Sequence, residues 1–256
     1  MANIANSEVF QVPNFKFQVM KKEDLIIYNS PEELANAFAD QLMAWIEEHS
    51  GGKFHLAISG GKTPDLLFAA LADKYPQSPI WQKANFWWVD ERMVPPTHPE
   101  SNFGVAQKLL FSQISIPEDN IHRIKGENNP QEEALSYSSQ ILKNLPQSEN
   151  LPVFDLILLG MGDDGHTASI FPDQMHLLES DHICEVATHP VSGQKRVTLT
   201  GKVINSASKI CFLVTGKEKA TRLKEIVSRS SDASLLPAFH IKNAHWYVDL
   251  AAAQRI

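Results

Sequence analysis

Cysteine is nearly missing from this 256-residue chain, which has only Cys184 and Cys211 and no CxxC spacing. That argues against a disulfide framework and against a structural zinc site; both thiols fall in β-like runs, where buried free cysteines are expected. Positive charge is also short. Twenty-three Lys and Arg stand against thirty Asp and Glu, a formal net charge of -7, so the broad basic surface that nucleic acid or an anionic membrane requires is not available. An anionic ligand must therefore be met by a local basic cluster. No apolar run reaches bilayer-spanning length. The opening "MANIANSEVFQVPNFKFQVMKK" has neither the basic start nor the continuous apolar segment of a secretory signal. A cytoplasmic protein without nucleic-acid or membrane partners is expected, as a monomer or weak homo-oligomer. Internal repeats, low-complexity tracts and long linkers are lacking too; "PPTHPES" (95–101) and "NLPQSENLP" (144–152) read as loops.

With 43% hydrophobic and 21% charged residues, the chain has the composition of an ordinary globular protein, and its length suits one domain over 1–256. From Ser30, "SPEELANAFADQLMAWIEEHSGG" opens as a capping box, with Ser30 as cap, Pro31 in the first turn and Glu33 three residues on. Its apolar residues follow helical spacing, and Gly51 and Gly52 are placed to end it. Strand-like runs follow in "FHLAIS" (54–59), "NFWWVD" (85–90), "FDLILLG" (154–160), "KRVTLT" (195–200), "KICFLVTG" (209–216) and "HWYVDL" (245–250). Helix-like runs such as "PDLLFAALADKY", "SNFGVAQKLLF" and "EEALSYSSQILKNL" lie between several of them. This alternation predicts a doubly wound, mostly parallel α/β sheet covered on both faces. In such sheets ligands bind beyond the C-terminal strand ends.

Glycine, only twelve in the chain, is concentrated where those strands end. In "AISGGKTP" a strand runs into Ser59, Gly60, Gly61, Lys62 and Thr63 before Pro64 opens a helix. Backbone N–H groups there can approach a phosphate, helped by the helix N-terminus, the hydroxyls and Lys62. The alternative is a tight turn and nothing more, and the spacing is not that of a nucleotide-triphosphate loop. In "WWVDERMVP", Asp90 can accept or orient a proton and Arg92 can hold an anion, against the plainer reading of a solvated ion pair. Downstream, Ser101 and Asn102 are either helix-capping or hydroxyl-binding groups.

The stretch "LILLGMGDDGHTASIFP" holds three glycines in six residues, Gly160, Gly162 and Gly165, around Asp163, Asp164 and His166. A sharp turn there presents a histidine near a helix-like start, whose potential favours neutral imidazole, a competent base. Asp164 can hold the other ring nitrogen. The rival readings are a structural loop histidine and a metal ligand; DxH offers at most two ligands, with no HxxxH or HxxE beside it. "QKRVTLT" and "LVTGKEKATRL" bring Lys195, Arg196, Lys217 and Lys219 to strand ends or the following helix start, and Arg196 and Lys219 are the chosen anion contacts.

Taken in order from about Ala57 to Ala253, "AISGGKTP", "WVDERMVPPTHPESN", "LILLGMGDDGHTASIFP", "KRVTLT", "FLVTGKEKA" and "LPAFHI…WYVDLAAA" resemble the 6-phosphogluconolactonases of the glucosamine/galactosamine-6-phosphate isomerase superfamily. The resemblance implies a Rossmann-like fold, hydrolysis of a sugar-phosphate lactone in the pentose phosphate pathway, and no required metal or organic cofactor. It implies His166 as general base with Asp164 beside it, and Asp90 and Arg92 in the site. The Ser59–Thr63 loop, Arg196 and Lys219 would contact the phosphate. Lys62 departs from the serine more usual at its place. The related deaminases have a motif like DGHxAFNEP, with a carboxylate where this chain has Phe171, so a deaminase is the weaker expectation. A non-catalytic sugar-phosphate sensor would not need the Asp164–His166 pair.

Overall fold

The computed structural model describes residues 25–256; the opening stretch considered above for a secretory signal lies outside the described residues. In chain order the elements are β1 (Leu25–Tyr28), α1 (Pro31–Glu48), β2 (Phe54–Ile58), α2 (Lys62–Lys74), β3 (Ala84–Trp88), β4 (Asp90–Arg92), α3 (Asn102–Ala106), β5 (Ile121–His122), α4 (Pro130–Asn144), β6 (Gln147–Ser148), β7 (Leu151–Pro152), β8 (Leu156–Leu159), β9 (Cys184–Thr188), β10 (Lys195–Leu199), α5 (Gly201–Asn205), β11 (Ile210–Val214), α6 (Ala220–Ser228), β12 (Ala244–Asp249) and α7 (Leu250–Ala253).

Seven strands form the central sheet in the order β1-β12-β11-β8-β2-β3-β5, and every pairing in it is parallel. All residues of β2, β3, β8 and β11 are buried. A strand with helices on both faces has no solvent side, which is why these runs are continuously apolar rather than alternating. Stacked Phe212 and Trp246 rings, 3.9 Å apart, tie β11 to β12. The expected doubly wound α/β architecture is the one found, and both cysteines are buried in strands, their thiols pushed up to about 12 by desolvation.

Helix α1 starts where its cap residue requires. Ser30 Oγ accepts from Glu33 N at 3.1 Å, but the Glu33 carboxylate takes the N–H of Asn29 rather than that of Ser30. The helix stops at Glu48, with His49 already extended, two residues before Gly51. The "SNFGVAQKLLF" run is helical but changes pitch, passing from α3 into a π turn over Gln107–Phe111. The 144–152 loop carries the small β6–β7 hairpin.

Two expectations are corrected. No helix starts at His166, where Thr167 and Ile170 form a β-bridge and a 3-10 turn begins only at Pro172, so the imidazole does not sit at a helix N-terminus. "KRVTLT" does not join the parallel sheet; as β10 it is the middle strand of a separate antiparallel sheet ordered β4-β10-β9. The "NFWWVD" run is likewise split, since β3 ends at Trp88 and Asp90 begins β4. Asp90 therefore opens a strand of the small sheet instead of closing one of the large sheet. Strand β10 fills its places beyond Lys195 with buried side chains, so its local pattern matches that of a central strand although its partners differ.

Candidate active site

The chain order of the large sheet reverses between β2 and β8: from β2 it runs outward through β3 and β5, and from β8 through β11 and β12. At such a switch point the two outgoing loops diverge and leave a crevice beyond the strand ends. Here the crevice measures about 450 Å³, enough for a phosphorylated hexose. Of the residues singled out as catalytic or substrate-binding, all but Asp164 line it.

One wall is the turn after β2. Gly61 has a φ of +118°, a conformation costly for any residue with a Cβ, and Gly60 lies so close to Asn102 that an added Cβ would stand 2.0 Å from Asn102 Oδ1. Helix α2 begins directly after Gly61 without a side-chain cap, so its first N–H groups remain free for an anionic ligand. Ser59 turns inward and donates to Leu158 O at 2.9 Å, while the Thr63 and Thr215 hydroxyls bond each other at 2.7 Å. Lys62 is exposed at the rim.

The turn after β8 supplies the opposite wall. His166 Nδ1 lies 2.6 Å from Asp164 Oδ1, and the same oxygen accepts the His166 backbone N–H at 3.0 Å. Partial burial works against the Asp164 carboxylate, yet its hydrogen bonds and the charge of His166 outweigh that and bring it down to about 2. An ionised Asp164 has only acceptors to offer, so Nδ1 carries the hydrogen and Nε2 the lone pair. Asp164 thus sits behind the imidazole, which explains its absence from the crevice wall. Two of the three glycines are explained: a Cβ on Gly162 would stand 2.2 Å from His166 Nδ1 and 2.6 Å from Asp164 Oδ1, and Gly165 turns with a φ of +84°, whereas at Gly160 a Cβ would meet open space. Ala168 also takes a positive φ of 50°, a strained non-glycine position on the crevice wall. Phe171, fully buried, packs its ring 4.8 Å from the His166 ring and 5.5 Å from the Arg196 guanidinium.

The third wall comes from the small sheet. Asp90 is buried and accepts from Ser169 Oγ at 2.6 Å; Arg196 Nη1 approaches the same hydroxyl at 3.4 Å. Ser169 is thereby the joint between the histidine loop and the strands carrying Asp90 and Arg196. Arg92 Nη1 donates to Glu100 O at 2.8 Å. The Nε atoms of Arg92 and Arg196 are both buried without a hydrogen-bond partner, which is costly unless a ligand satisfies them. Burial, opposed by Asp90, lowers the Arg196 guanidinium.

Glu91, between Asp90 and Arg92 in "WWVDERMVP", is only 1% exposed. Its carboxylate accepts from the backbone N–H groups of Arg92, Asn102 and Phe103, each at 2.8 Å, and from Ser101 Oγ at 3.1 Å. Desolvation raises it to about 6 against those backbone donors. Ser101 is the cap of α3, accepting from Gly104 N at 3.0 Å; Asn102 reaches back to Asp90 O at 2.9 Å while still lining the crevice.

Lys219, next to the start of α6, lines the crevice and is ion-paired to Asp163. The other two lysines of those runs stay outside: Lys195 bonds Thr188 Oγ1 on the surface, and Lys217 does not reach the crevice. Sequence reasoning missed Ser169, Glu91 and the Asp163–Lys219 pairing. Only Asp163 carried a visible signal, its place in the glycine-rich turn. Among the described residues no group of three or more His, Cys, Asp or Glu side chains is placed to hold a metal ion, and no helix is long and apolar enough to cross a membrane.

A family model described as glucosamine-6-phosphate isomerases/6-phosphogluconolactonase matches residues 29–249, and the chain belongs to this family of sugar-phosphate enzymes. Among its relatives, the 6-phosphogluconolactonase of Haemophilus influenzae is 46% identical over 205 residues, covering 78% of this chain and 86% of that protein. The 6-phosphogluconolactonase of Homo sapiens is 35% identical over 239 residues, covering 89% and 92%. A crystal structure of a devB protein superposes with a TM-score of 0.85 at 41% identity, covering 91% of this chain and 98% of that one.

Proposed function

We propose that this chain hydrolyses 6-phospho-D-glucono-1,5-lactone to 6-phosphogluconate in the oxidative pentose phosphate pathway, with His166 as general base. The observation that carries the assignment of roles is the Asp164–His166 pair, which faces a crevice shared with an uncapped helix N-terminus and two guanidinium groups. A δ-lactone is an activated ester, so positioned water, a base and an oxyanion stabiliser suffice. His166 Nε2 takes a proton from water as the water oxygen bonds to the lactone carbonyl carbon. Asp164 stabilises the imidazolium through Nδ1. Arg92, whose side chain lines the crevice, meets the developing oxyanion. The imidazolium then returns its proton to the ring oxygen as the carbon–oxygen bond breaks, and the product acid ionises.

The Ser59–Thr63 turn, Arg196 and Lys219 hold the phosphate, Asn102 meets a sugar hydroxyl, and Asp90 fixes Ser169 and with it the histidine loop. No step here draws on a metal or an organic cofactor. The enzyme works in the cytoplasm as a monomer or weak homo-oligomer. Phe171 beside the imidazole has no proton to exchange, which favours lactone opening over deamination.

Replacing His166 with Ala tests the assignment. General-base help is worth roughly 10²–10⁴-fold, so kcat falls by about that factor while KM changes little. A folded His166→Ala protein with kcat near that of the wild type removes His166 from this role.

A further inference from the structure

The crevice contains four basic side chains, Lys62, Arg92, Arg196 and Lys219, and three carboxylates, Asp90, Asp163 and Glu218. A cleft built simply to capture a phosphate dianion would not be so nearly neutral. Asp90 is occupied with Ser169, but the Asp163 carboxylate is bonded to Lys219, one of the cations assigned to the phosphate. The two partners are unequally exposed: the Lys219 side chain is 20% exposed and that of Asp163 is 68% exposed. The carboxylate is thus the more solvent-exposed partner of the pair, and Lys219 the more sheltered.

The peptide carbonyl of Asp163 is held separately, by Arg222 Nε at 3.3 Å. The backbone of the turn, and with it the neighbouring Asp164–His166 pair, is thus anchored without the Asp163 side chain. A mostly exposed carboxylate also loses little on returning to water, since such ion pairs are weak.

Resting on the lactonase reading, we infer that Asp163 is an affinity-determining residue that acts as a built-in competitor. Its carboxylate occupies Lys219 until the phosphate of substrate displaces it, and it returns to Lys219 as product leaves. No bond is made or broken in this exchange. The competitor acts on every phosphorylated ligand and is indifferent to ligands without phosphate.

The test measures dissociation constants for 6-phosphogluconate, inorganic phosphate and unphosphorylated gluconate by titration calorimetry at fixed ionic strength. It compares the wild type, Asp163→Asn, Lys219→Ala and the double variant. Asp163→Asn is expected to bind 6-phosphogluconate and phosphate about three- to tenfold more tightly, with no gain for gluconate. In the Lys219→Ala background the same change is expected to gain nothing, because the released cation is gone. Weaker or unchanged phosphate binding by Asp163→Asn overturns the proposal, as it makes the carboxylate a brace or a bystander. Tightening that persists without Lys219, or that extends to gluconate, overturns it in favour of a general field effect. Failure of the lactonase reading is seen separately, as wild-type protein that does not accelerate opening of the phosphorylated lactone; the inorganic phosphate series still decides the role of Asp163.

Discussion

Replacing Asp164 with Asn changes one oxygen to an amide nitrogen. The turn keeps its Gly162 N–H to His166 O and Gly165 N–H to Gly162 O bonds, but in the wild type Oδ1 receives both the His166 backbone N–H and Nδ1, so an amide rotated to face the ring gives up the backbone contact. A carboxylate 2.6 Å from Nδ1 can only accept, whereas a rotated amide can donate to Nδ1 and drive the ring hydrogen to Nε2, where the base must be free. The imidazolium formed in the reaction also loses its counter-charge. In serine-protease triads the same substitution costs about 10⁴ in kcat through the wrong tautomer. Here the carboxylate is 43% exposed, so water screens part of its effect and the loss should fall at about 10²–10³, or ~3–4 kcal/mol of transition-state stabilisation. Lactone hydrolysis releases a proton, so initial rates in a weakly buffered indicator solution, corrected for spontaneous opening, give kcat and KM directly. Because Asp164 remains ionised down to about pH 2, its own protonation does not contribute to the wild-type acid limb above that pH. The His166→Ala and Asp164→Asn losses should not add, since both remove the same base. A kcat within about threefold of wild type, or a loss confined to KM, would show that Asp164 does not set the tautomer.

Arg196→Ala and Lys219→Ala should each weaken phosphorylated substrate by roughly 1.5–3 kcal/mol per charge-assisted contact; undiminished discrimination against the unphosphorylated lactone removes that residue from the phosphate site. His122 is pushed down to about 4 from 6.5 by burial and by the neighbouring His55, donating from Nε2 to Asn85 Oδ1 at 2.8 Å with its ring stacked on Trp87. A folded value below the unfolded one contributes stability above pH 6.5 that is lost as pH falls toward 4. Full desolvation would make that ~3 kcal/mol, and partial exposure reduces it to roughly 1–2 kcal/mol. Glu91, raised to about 6, acts with the opposite sign in an overlapping window, so the urea midpoints of wild type and His122→Asn must be compared between pH 7 and 5. An identical pH dependence in both proteins refutes the assignment. Exhaustive chelation should leave kcat unchanged; activity lost on metal removal and restored by zinc or manganese would recast the Asp163–His166 turn as a metal site.

The central strands were legible because burial on both faces forces an unbroken apolar run, as in "FDLILLG", and the histidine turn because Gly162 and Gly165 are needed for its close approach and its positive φ. Strand β10 was misplaced since a run of side chains records how deeply a strand is buried, and the partner it pairs with is decided elsewhere in the chain. Ser169 and the Asp163–Lys219 pair escaped for a related reason: Ser169 meets Asp90 across 79 positions and Lys219 meets Asp163 across 56. Glu91 looked like one more charge in a hydrophilic triplet, and only the arrival of α3 makes it a buried acceptor. Strand β1, four residues long and half exposed, carries too weak a pattern to read.

The Glu91 carboxylate joins two parts of this site. Through Oε1 it receives the backbone N–H groups of both Arg92 and Asn102. One of these residues belongs to the small sheet and the other begins α3, yet a single oxygen atom yokes them. Two walls of the crevice are in this sense one part, like jaws on a common pivot. Mutations at Arg92 and at Asn102 therefore do not report on separate ligand contacts, because displacement of either backbone is felt by the other.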